Sequence, residues 1–164
     1  MLILIAGLPG TGKTAIARAF AQKHGAVHLN SDQIRRELGL WGSYSQEDKA
    51  RVYSELLTRA RTALAEGNSV VVDSTFFKAA LRRPFLDLAE SLGQRVFWIL
   101  ATAPDRILRD RVARPRPDSE ANESVLEKIM DQFEPLSPPY LTLSTESATP
   151  EALADEINRY LQNG

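Results

Sequence analysis

The chain has 164 residues, of which 43% are hydrophobic and 25% are charged, and its net charge is −1. This composition is typical of one globular domain, here residues 1–164, and it favours no class of charged partner. The sequence contains two histidines and no cysteine, which excludes disulfides, thiolate zinc sites and cysteine nucleophiles and disfavours a histidine-rich metal cage.

Short apolar runs predict five strands, and the segments between them predict helices. The strands are Leu2–Ala6, Ala26–Leu29, Val70–Val72, Val96–Leu100 and Tyr140–Leu143. The helices cover residues 13–24, 31–38, 45–66, 78–92, 104–114, 122–133 and 149–161. The first apolar run follows no basic segment, so it is interpreted as a strand and not as a signal peptide. Because no apolar run approaches about 20 residues, we expect no membrane span and a cytoplasmic location.

The alternation of strands and helices determines the predicted architecture. Consecutive strands joined by helices need crossover connections, which indicates a parallel sheet. We therefore predict a three-layer α/β fold, in which a five-stranded parallel sheet carries helices on both faces. Ligands bind such sheets at the carboxyl ends of the strands, so the residues that follow the strands are the first candidates for site residues.

A phosphate-binding loop follows the first strand. Residues 7–14, Gly-Leu-Pro-Gly-Thr-Gly-Lys-Thr, match the P-loop pattern GxxxxGK[ST] between a predicted strand and a predicted helix. Glycines allow backbone conformations that a Cβ disfavours, so that successive N–H groups can turn inward around phosphate oxygens. The loop residues that we expect to bind the phosphates of ATP are Gly7, Pro9, Gly10, Thr11 and Gly12.

The end of the motif predicts the remaining phosphate contacts. Lys13 is expected to reach the β- and γ-phosphates, and the Thr14 hydroxyl is expected to bind Mg²⁺. The predicted helix adds the positive end of its dipole. The chain lacks the guanine signature Asn-Lys-x-Asp and the transporter signature Leu-Ser-Gly-Gly-Gln. No acidic pair follows the third strand, and the chain has little room for the lid domain of ring-forming ATPases. These observations favour a kinase.

An acidic residue follows the second predicted strand, which we expect to lie near the first. Transfer of a phosphoryl group to an alcohol needs a group that orients the hydroxyl and accepts its proton, and Asp32 is the candidate. The alternative is that Asp32 only caps the next helix, although Asn30 and Ser31 could serve as the cap instead. Arg35 lies one helical turn further on the same face, where it could hold an anionic group of the acceptor or be solvated.

A second acidic residue, Asp73, ends the third predicted strand. Its position is similar to that of a Walker B aspartate, and its expected role is to hold a Mg²⁺-bound water or a substrate hydroxyl. The alternative is a turn or cap residue before Ser74.

Arginines are concentrated in the middle of the chain. Residues 1–116 hold 18 Lys and Arg against 11 Asp and Glu, and eight arginines lie between positions 82 and 116. Several of these arginines fall in an arginine-rich lid, where Arg111 and Arg114, followed by Arg116, are the candidates for contacting the transferred phosphate. The alternative is that the lid arginines pair with the acidic stretch 118–134, either locking a closed lid or without any functional role.

Three blocks of sequence give the chain a family resemblance. Residues 7–14, 30–35 and 71–75, the last followed by Arg82-Arg83-Pro84, make it similar to the small P-loop kinases related to polynucleotide 5′-hydroxyl kinases, zeta toxins and chloramphenicol phosphotransferases. Residues 125–136 resemble a group of kinases of unassigned substrate. The resemblance implies a nucleoside-kinase-like P-loop NTPase fold.

The resemblance also implies roles for single residues. Asp32 would be the general base, Arg35 would contact the acceptor together with Arg82, and Arg111 or Arg114 would be the transition-state arginine. One position departs from the polynucleotide kinases, which often have asparagine where this chain has Phe76.

The leading hypothesis is an ATP-dependent kinase, with ATP and Mg²⁺ as cofactors, that phosphorylates a hydroxyl group. The acceptor could be a small molecule, a nucleotide-like compound or the 5′ end of a nucleic acid. A different class, a non-catalytic ATP-binding switch, stays open. The sequence indicates no obligatory protein partner.

Overall fold

The computed structural model describes residues 1–115, 119 and 121–163. They form a five-stranded, all-parallel sheet in the order β2-β3-β1-β4-β5. The predicted α/β fold is therefore confirmed, with strand ends that differ by up to two residues from those expected. The strands are β1 Leu2–Ala6, β2 Val27–Asn30, β3 Val70–Asp73, β4 Val96–Thr102 and β5 Leu141–Ser144.

Each predicted helix is present, and polar caps fix several of the helix starts. The Asn30 side chain accepts a hydrogen bond from the Gln33 amide at 2.7 Å, and the Asn122 side chain accepts one from Val125 at 3.1 Å. Such caps satisfy amide groups that the first helical turn leaves without a partner. The helices are α1 Lys13–His24, α2 Ser31–Glu37, α3 Gln46–Ala65, α4 Ala79–Ser91, α5 Asp105–Ala113, α6 Glu123–Gln132 and α7 Pro150–Asn163.

Two apolar cores lie on opposite faces of the sheet. Because successive strand residues point to opposite faces, Leu2 and Leu4 of β1 pack with α3 and α4, whereas Ile3 and Ile5 pack with α1 and α7. All of β1 is fully buried. This central strand is covered on both faces, as expected for a parallel sheet.

The strand order determines which chain segments meet at the carboxyl edge of the sheet. β3 lies between β1 and β2, so the strand before Asp32 is not a direct neighbour of β1, although we expected it to be close. The register aligns Asp73 with Ile5 on one side and with Asn30 on the other. The P-loop, Asp73 and the start of α2 therefore lie side by side.

Helices α5 and α6 pack beside this edge. Leu108 and Val112 of α5 form a small cluster with Leu126 of α6. The Arg109 side chain donates to Asp105 of its own helix and to Glu123 and Glu127 of α6, at 2.8–3.1 Å. The expected pairing of a lid arginine with the acidic stretch is thus found for Arg109. No helix in the described part of the chain is long and apolar enough to cross a membrane.

Candidate active site

The P-loop adopts the conformation that its glycines make possible. Gly7 has a φ of 152°, and a Cβ at that position would lie 2.5 Å from the Ala101 carbonyl oxygen. Gly12, with a φ of 80°, is the N-cap of α1, so the start of that helix faces the loop. The dipole of α1 and the loop amides together favour an anion at this point.

The Lys13 side chain lies along the inside of the loop. Its Nζ donates to the Leu8 carbonyl oxygen at 2.8 Å and to Thr11 Oγ1 at 3.4 Å. A buried ammonium group needs such acceptors, and phosphate oxygens would be stronger ones because they are charged. Lys13 is therefore positioned at the edge of the cavity described below.

A polar network joins the P-loop to strands β2 and β3. Thr14 Oγ1 donates to Asp73 Oδ2 at 2.6 Å, and the Asn30 amide donates to both oxygens of the same carboxylate at 2.9 and 3.1 Å. His28 Nε2 lies 2.6 Å from Asp73 Oδ1. Asp73, which is almost fully buried, is thus held in a single orientation beside Thr14.

The donor atoms of this network fit a magnesium ion. Mg²⁺ prefers hard oxygen ligands, and it is usually held by one or two protein groups together with phosphate oxygens and water. Thr14 Oγ1 and Asp73 Oδ2 are two such oxygens, adjacent to the loop that would hold the phosphates. These are the two metal ligands predicted from the sequence, whereas the orientation of Asp73 by His28 and Asn30 was not predicted.

One cavity of about 260 Å³ connects the P-loop with the second candidate acid. The P-loop residues Pro9, Gly10, Gly12, Lys13 and Thr14 line it together with Asp32, Arg35 and Asp73. The structure therefore brings together eight of the predicted site residues around one space. Further lining residues that the sequence analysis did not single out are Lys49, Tyr53, Phe77, Ser119, Ala121, Val125 and Ile129.

Asp32 is half-buried in this cavity. Burial raises the pKa of its carboxyl, and this effect outweighs the hydrogen bond from Ser119 and the charges of Lys13 and Arg35, which lower the pKa. Asn30 caps α2, so the side chain of Asp32 does not have that role. The carboxylate is thus available at the cavity wall with a raised affinity for a proton.

Arg35 is one of two buried arginines in the described part of the chain, with 5% of its surface exposed. Its guanidinium donates to the Ser43 carbonyl oxygen at 2.5 Å and stacks on the Tyr44 ring at 4.6 Å. Its Nε is buried without a hydrogen-bond partner. A buried N–H group without a partner costs free energy, so this arginine is not fully satisfied by the protein.

Arg82 does not line the cavity, although we expected it to contact substrate. It is 6% exposed, and its three nitrogens donate to main-chain carbonyl oxygens of Phe76, Pro135 and Glu134. The bond to Phe76 measures 2.6 Å, and that residue has an unusual positive φ of 46°. Through these contacts, Arg82 holds the backbone that follows β3 in place.

Arg111 and Arg114 line a different groove, on the other side of the P-loop. Arg111 donates to the Gly10 carbonyl oxygen at 3.1 Å and to the hydroxyl and carbonyl oxygens of Thr145, both at 2.9 Å. Arg114 is exposed and pairs with Asp110 at 2.8 Å. The structure therefore does not bring these arginines to the cavity that holds Asp32. Arg116 lies outside the described residues.

Comparison with known proteins now places the chain in a family. Residues 2–136 match the family described as AAA domain. The chain belongs to this family of P-loop kinases. The family assignment agrees with the loop, the sheet order and the position of Asp73.

The chain matches only part of the length of some curated relatives. An uncharacterised protein of Mycobacterium tuberculosis is 32% identical over 137 residues, which are 76% of this chain and 28% of that protein. The L-seryl-tRNA(Sec) kinase of Methanococcus maripaludis is 30% identical over 116 residues, which are 68% of this chain and 44% of that kinase. The chain thus spans less than half the length of these curated relatives.

A solved structure shows the same fold at lower identity. The APS kinase of Mycobacterium tuberculosis, solved with AMPPNP and APS, superposes with a TM-score of 0.76 at 21% identity, covering 98% of this chain and 96% of that one. At this identity the likeness establishes the fold alone.

Proposed function

We propose that residues 1–164 form a kinase domain that transfers the γ-phosphate of ATP to a hydroxyl group of a small-molecule or nucleotide-like acceptor. The observation that carries the proposal is the shared cavity, which both Lys13 and Asp32 line. Phosphoryl transfer depends on positioning the nucleophile in line with the γ-phosphate and on neutralising charge. A cation and a general base in the wall of one cavity meet both needs.

In the proposed step, the acceptor hydroxyl donates its proton to the carboxylate of Asp32. The acceptor oxygen forms a bond with the γ-phosphorus while the bond from that phosphorus to the β–γ bridging oxygen breaks, and ADP leaves. Lys13 and the loop amides stabilise the negative charge on the phosphate oxygens. The raised pKa of Asp32 favours proton acceptance, because a stronger base takes the hydroxyl proton more readily.

Thr14 and Asp73 are the residues that would hold Mg²⁺. When bound, the ion supplies positive charge to the β- and γ-phosphate oxygens. His28 and Asn30 keep the Asp73 carboxylate turned toward Thr14, so these residues contribute by orienting a ligand.

The groove on the far side of the P-loop is the proposed position of the nucleoside. It shares Gly10, Gly12 and Ala15 with the acceptor cavity, so a triphosphate crossing the loop would join the two spaces. Arg111 lines this groove. Its position therefore favours a contact near the nucleoside over a contact with the transferred phosphate. Arg114 lines the same groove with its charge exposed.

Two alternatives make different predictions. A polynucleotide 5′-hydroxyl kinase is supported by the likeness to a putative bifunctional polynucleotide phosphatase/kinase of Acanthamoeba polyphaga mimivirus, 27% identical over 109 residues. A nucleic-acid acceptor would give an affinity that falls steeply with salt concentration, because phosphate contacts release counterions. A non-catalytic ATP-binding switch would bind ATP in the same way but would make no use of Asp32.

A labelled-phosphate screen tests the proposed function. The protein is incubated with Mg²⁺ and ATP labelled at the γ-phosphate, together with nucleosides, sugars, hydroxylated acids, antibiotics and 5′-hydroxyl oligonucleotides. We expect label to appear in one class of hydroxyl compound, and to be lost when Lys13 is replaced by Ala. Tight ATP binding without transfer to any hydroxyl compound would favour the switch.

A further inference from the structure

Two cations that line the cavity, Arg35 and Lys49, form no ion pair with a carboxylate among the described residues. Asp32 and Asp48 are close enough for their charges to interact with Arg35, but their hydrogen bonds are with Ser119, Ser43 and Ser45. Arg35 is buried and Lys49 is partly buried. Because buried cations are normally paired, their presence in one cavity wall indicates a place for an anion.

The guanidinium of Arg35 has a fixed position at the proposed anion site. Arg35 is 95% buried, and its Nε has no hydrogen-bond partner. The stacking on Tyr44 and the bond to Ser43 fix the plane of the group, so its position in the cavity wall is defined. Guanidinium groups match the planar oxygens of carboxylates and phosphates.

Lys49 lines the same cavity, and its side chain is partly buried. Its Nζ is 5.2 Å from the centre of the Phe77 ring. Burial lowers the pKa of Lys49, and the positive charges of Lys128, Arg35 and Lys78 lower it further. The positive charges of Lys128, Arg35 and Lys78 thus oppose the charge of Lys49, and an anionic ligand in the cavity would offset that repulsion.

The walls next to these cations are apolar. Tyr44, Tyr53 and Phe77 present aromatic rings on the side of α3 and the segment after β3. The opposite wall consists of aliphatic side chains on and just before α6, namely Ala121, Val125 and Ile129. An acceptor that is only an anion would leave these walls in contact with water, whereas one with an apolar or ring-bearing body would cover them.

From this arrangement we infer that the acceptor is a compact organic anion with an apolar or aromatic body, its anionic group held between Arg35 and Lys49 and its hydroxyl directed to Asp32. The inference rests on the proposed kinase function for the same site. A cavity of about 260 Å³ lined by rings and aliphatic groups fits such a molecule better than an extended polynucleotide.

Binding measurements test the inference separately from the kinase activity. The Asp32→Asn variant is saturated with Mg²⁺ and AMPPNP, and calorimetry measures its affinity for four probes. These are 3-(hydroxymethyl)benzoate, its neutral amide 3-(hydroxymethyl)benzamide, glycolate, and a 5′-hydroxyl oligothymidylate. The first pair differs only in charge, and glycolate keeps the charge and hydroxyl without the ring.

We expect the benzoate to bind at least about tenfold more tightly than the amide or glycolate, as one charge-assisted hydrogen bond allows. Adding Lys49→Gln should remove most of the preference for the benzoate over the amide. Lys23→Gln is the matched control, because Lys23 is an exposed lysine that pairs with Asp155 away from the cavity. Val125→Asp, which places a negative charge on the apolar wall, should weaken benzoate binding by at least as much as Lys49→Gln.

Three results would overturn the inference: equal affinity for benzoate and amide, tighter and strongly salt-dependent binding of the oligonucleotide, or no binding of the benzoate at millimolar concentration. Failure of the proposed function looks different. In that case the wild-type protein would bind the benzoate with the expected preference and transfer no phosphate to any hydroxyl compound.

Discussion

The two spaces on either side of the P-loop are built in different ways. The groove proposed for the nucleoside is formed by the loop, by α1, α5 and α7 and by the residues after β5, and its main polar contacts are the bonds that Arg111 makes with Gly10 and Thr145. The cavity proposed for the acceptor is assembled from the loop, α2, α3, the segment after β3 and α6, and the buried Nε of Arg35 in its wall has no hydrogen-bond partner. The arginine of the first space is thus held by protein acceptors, whereas the arginine of the second is only partly satisfied by the protein.

Two buried arginines show the same contrast. Arg82 donates from each nitrogen of its guanidinium to a main-chain carbonyl oxygen. Arg35 is buried to the same degree but has an Nε without a partner beside the cavity. A buried guanidinium with every nitrogen hydrogen-bonded to the main chain contributes to the fold, whereas Arg35 lines the cavity with a guanidinium that the protein satisfies only in part.

Replacing Asp32 should separate transfer from nucleotide binding. In Asp32→Asn the general base is lost while the P-loop is unchanged, so we expect the turnover number to fall by about 10²–10⁴-fold. The affinity for AMPPNP, measured by calorimetry, should stay within about threefold of the wild-type value, because Asp32 lies at the acceptor end. Lys13→Ala is the counterpart and should weaken nucleotide binding itself. Near-normal turnover in Asp32→Asn would contradict the base assignment.

Replacing each buried arginine by methionine should affect stability unequally. Arg82→Met leaves three main-chain carbonyl oxygens without this donor, the one of Phe76 in a buried hydrogen bond, and we expect it to lower the free energy of unfolding by about 3 kcal/mol. Arg35→Met removes the hydrogen bond to Ser43 and one unsatisfied donor, so its cost should be below about 1.5 kcal/mol. Urea unfolding of both variants measures the difference. Equal losses would show that the two arginines are not distinguished in this way.

Replacing Arg111 should act on the nucleoside side. Arg111→Ala removes the contacts with Gly10 and Thr145 that shape this groove, and we expect the dissociation constant of AMPPNP to rise by about tenfold. Arg106→Ala, an exposed position on the same helix, is the control for the loss of an arginine from α5. If the turnover number falls by 10³-fold or more with unchanged AMPPNP affinity, Arg111 contacts the transferred phosphate as the sequence suggested.

The pH dependence of transfer should reflect the environment of Asp32. The base works only when deprotonated, and burial raises its pKa, so the rate should fall on acidification at a higher pH than for an exposed aspartate. The hydrogen bond from Ser119 lowers this pKa. Ser119→Ala should therefore move the acidic limb to higher pH, by about 0.5–1 unit. The exposed Ser124→Ala is the control, and a shift toward lower pH would contradict the assigned environment.

The features that could be predicted from the sequence are those that depend on short segments of the chain. The P-loop, the alternation of strands and helices, and the positions of Asp32 and Asp73 after their strands all follow from short segments, and the sheet order then brings their carboxyl ends together. The sequence favours a structural role for His28, and its contact with Asp73 could not be predicted because it spans 45 positions and depends on the register of β2 and β3. A histidine inside a short strand carries no spacing signal.

Side-chain surroundings were harder to predict than backbone positions. Arg82 was expected at the substrate because it follows Asp73 in a family-like block, yet α4 turns it toward the chain around Glu134. Lys49 gave no signal in the sequence, since a lysine in the first turn of a long helix is usually solvated. Its neighbours come from α2, from the segment after β3 and from α6, and only tertiary packing brings these together.

A crystal structure of the protein with Mg²⁺, ADP and aluminium fluoride would test the central claim most directly. The metal fluoride marks the position of the transferred phosphoryl group between Lys13 and the acceptor cavity. We predict that a carboxylate oxygen of Asp32 lies within about 3 Å of the water or hydroxyl in line with the aluminium. A metal fluoride bound on the loop with the carboxylate of Asp32 turned away from it, and with no in-line oxygen within its reach, would contradict the account.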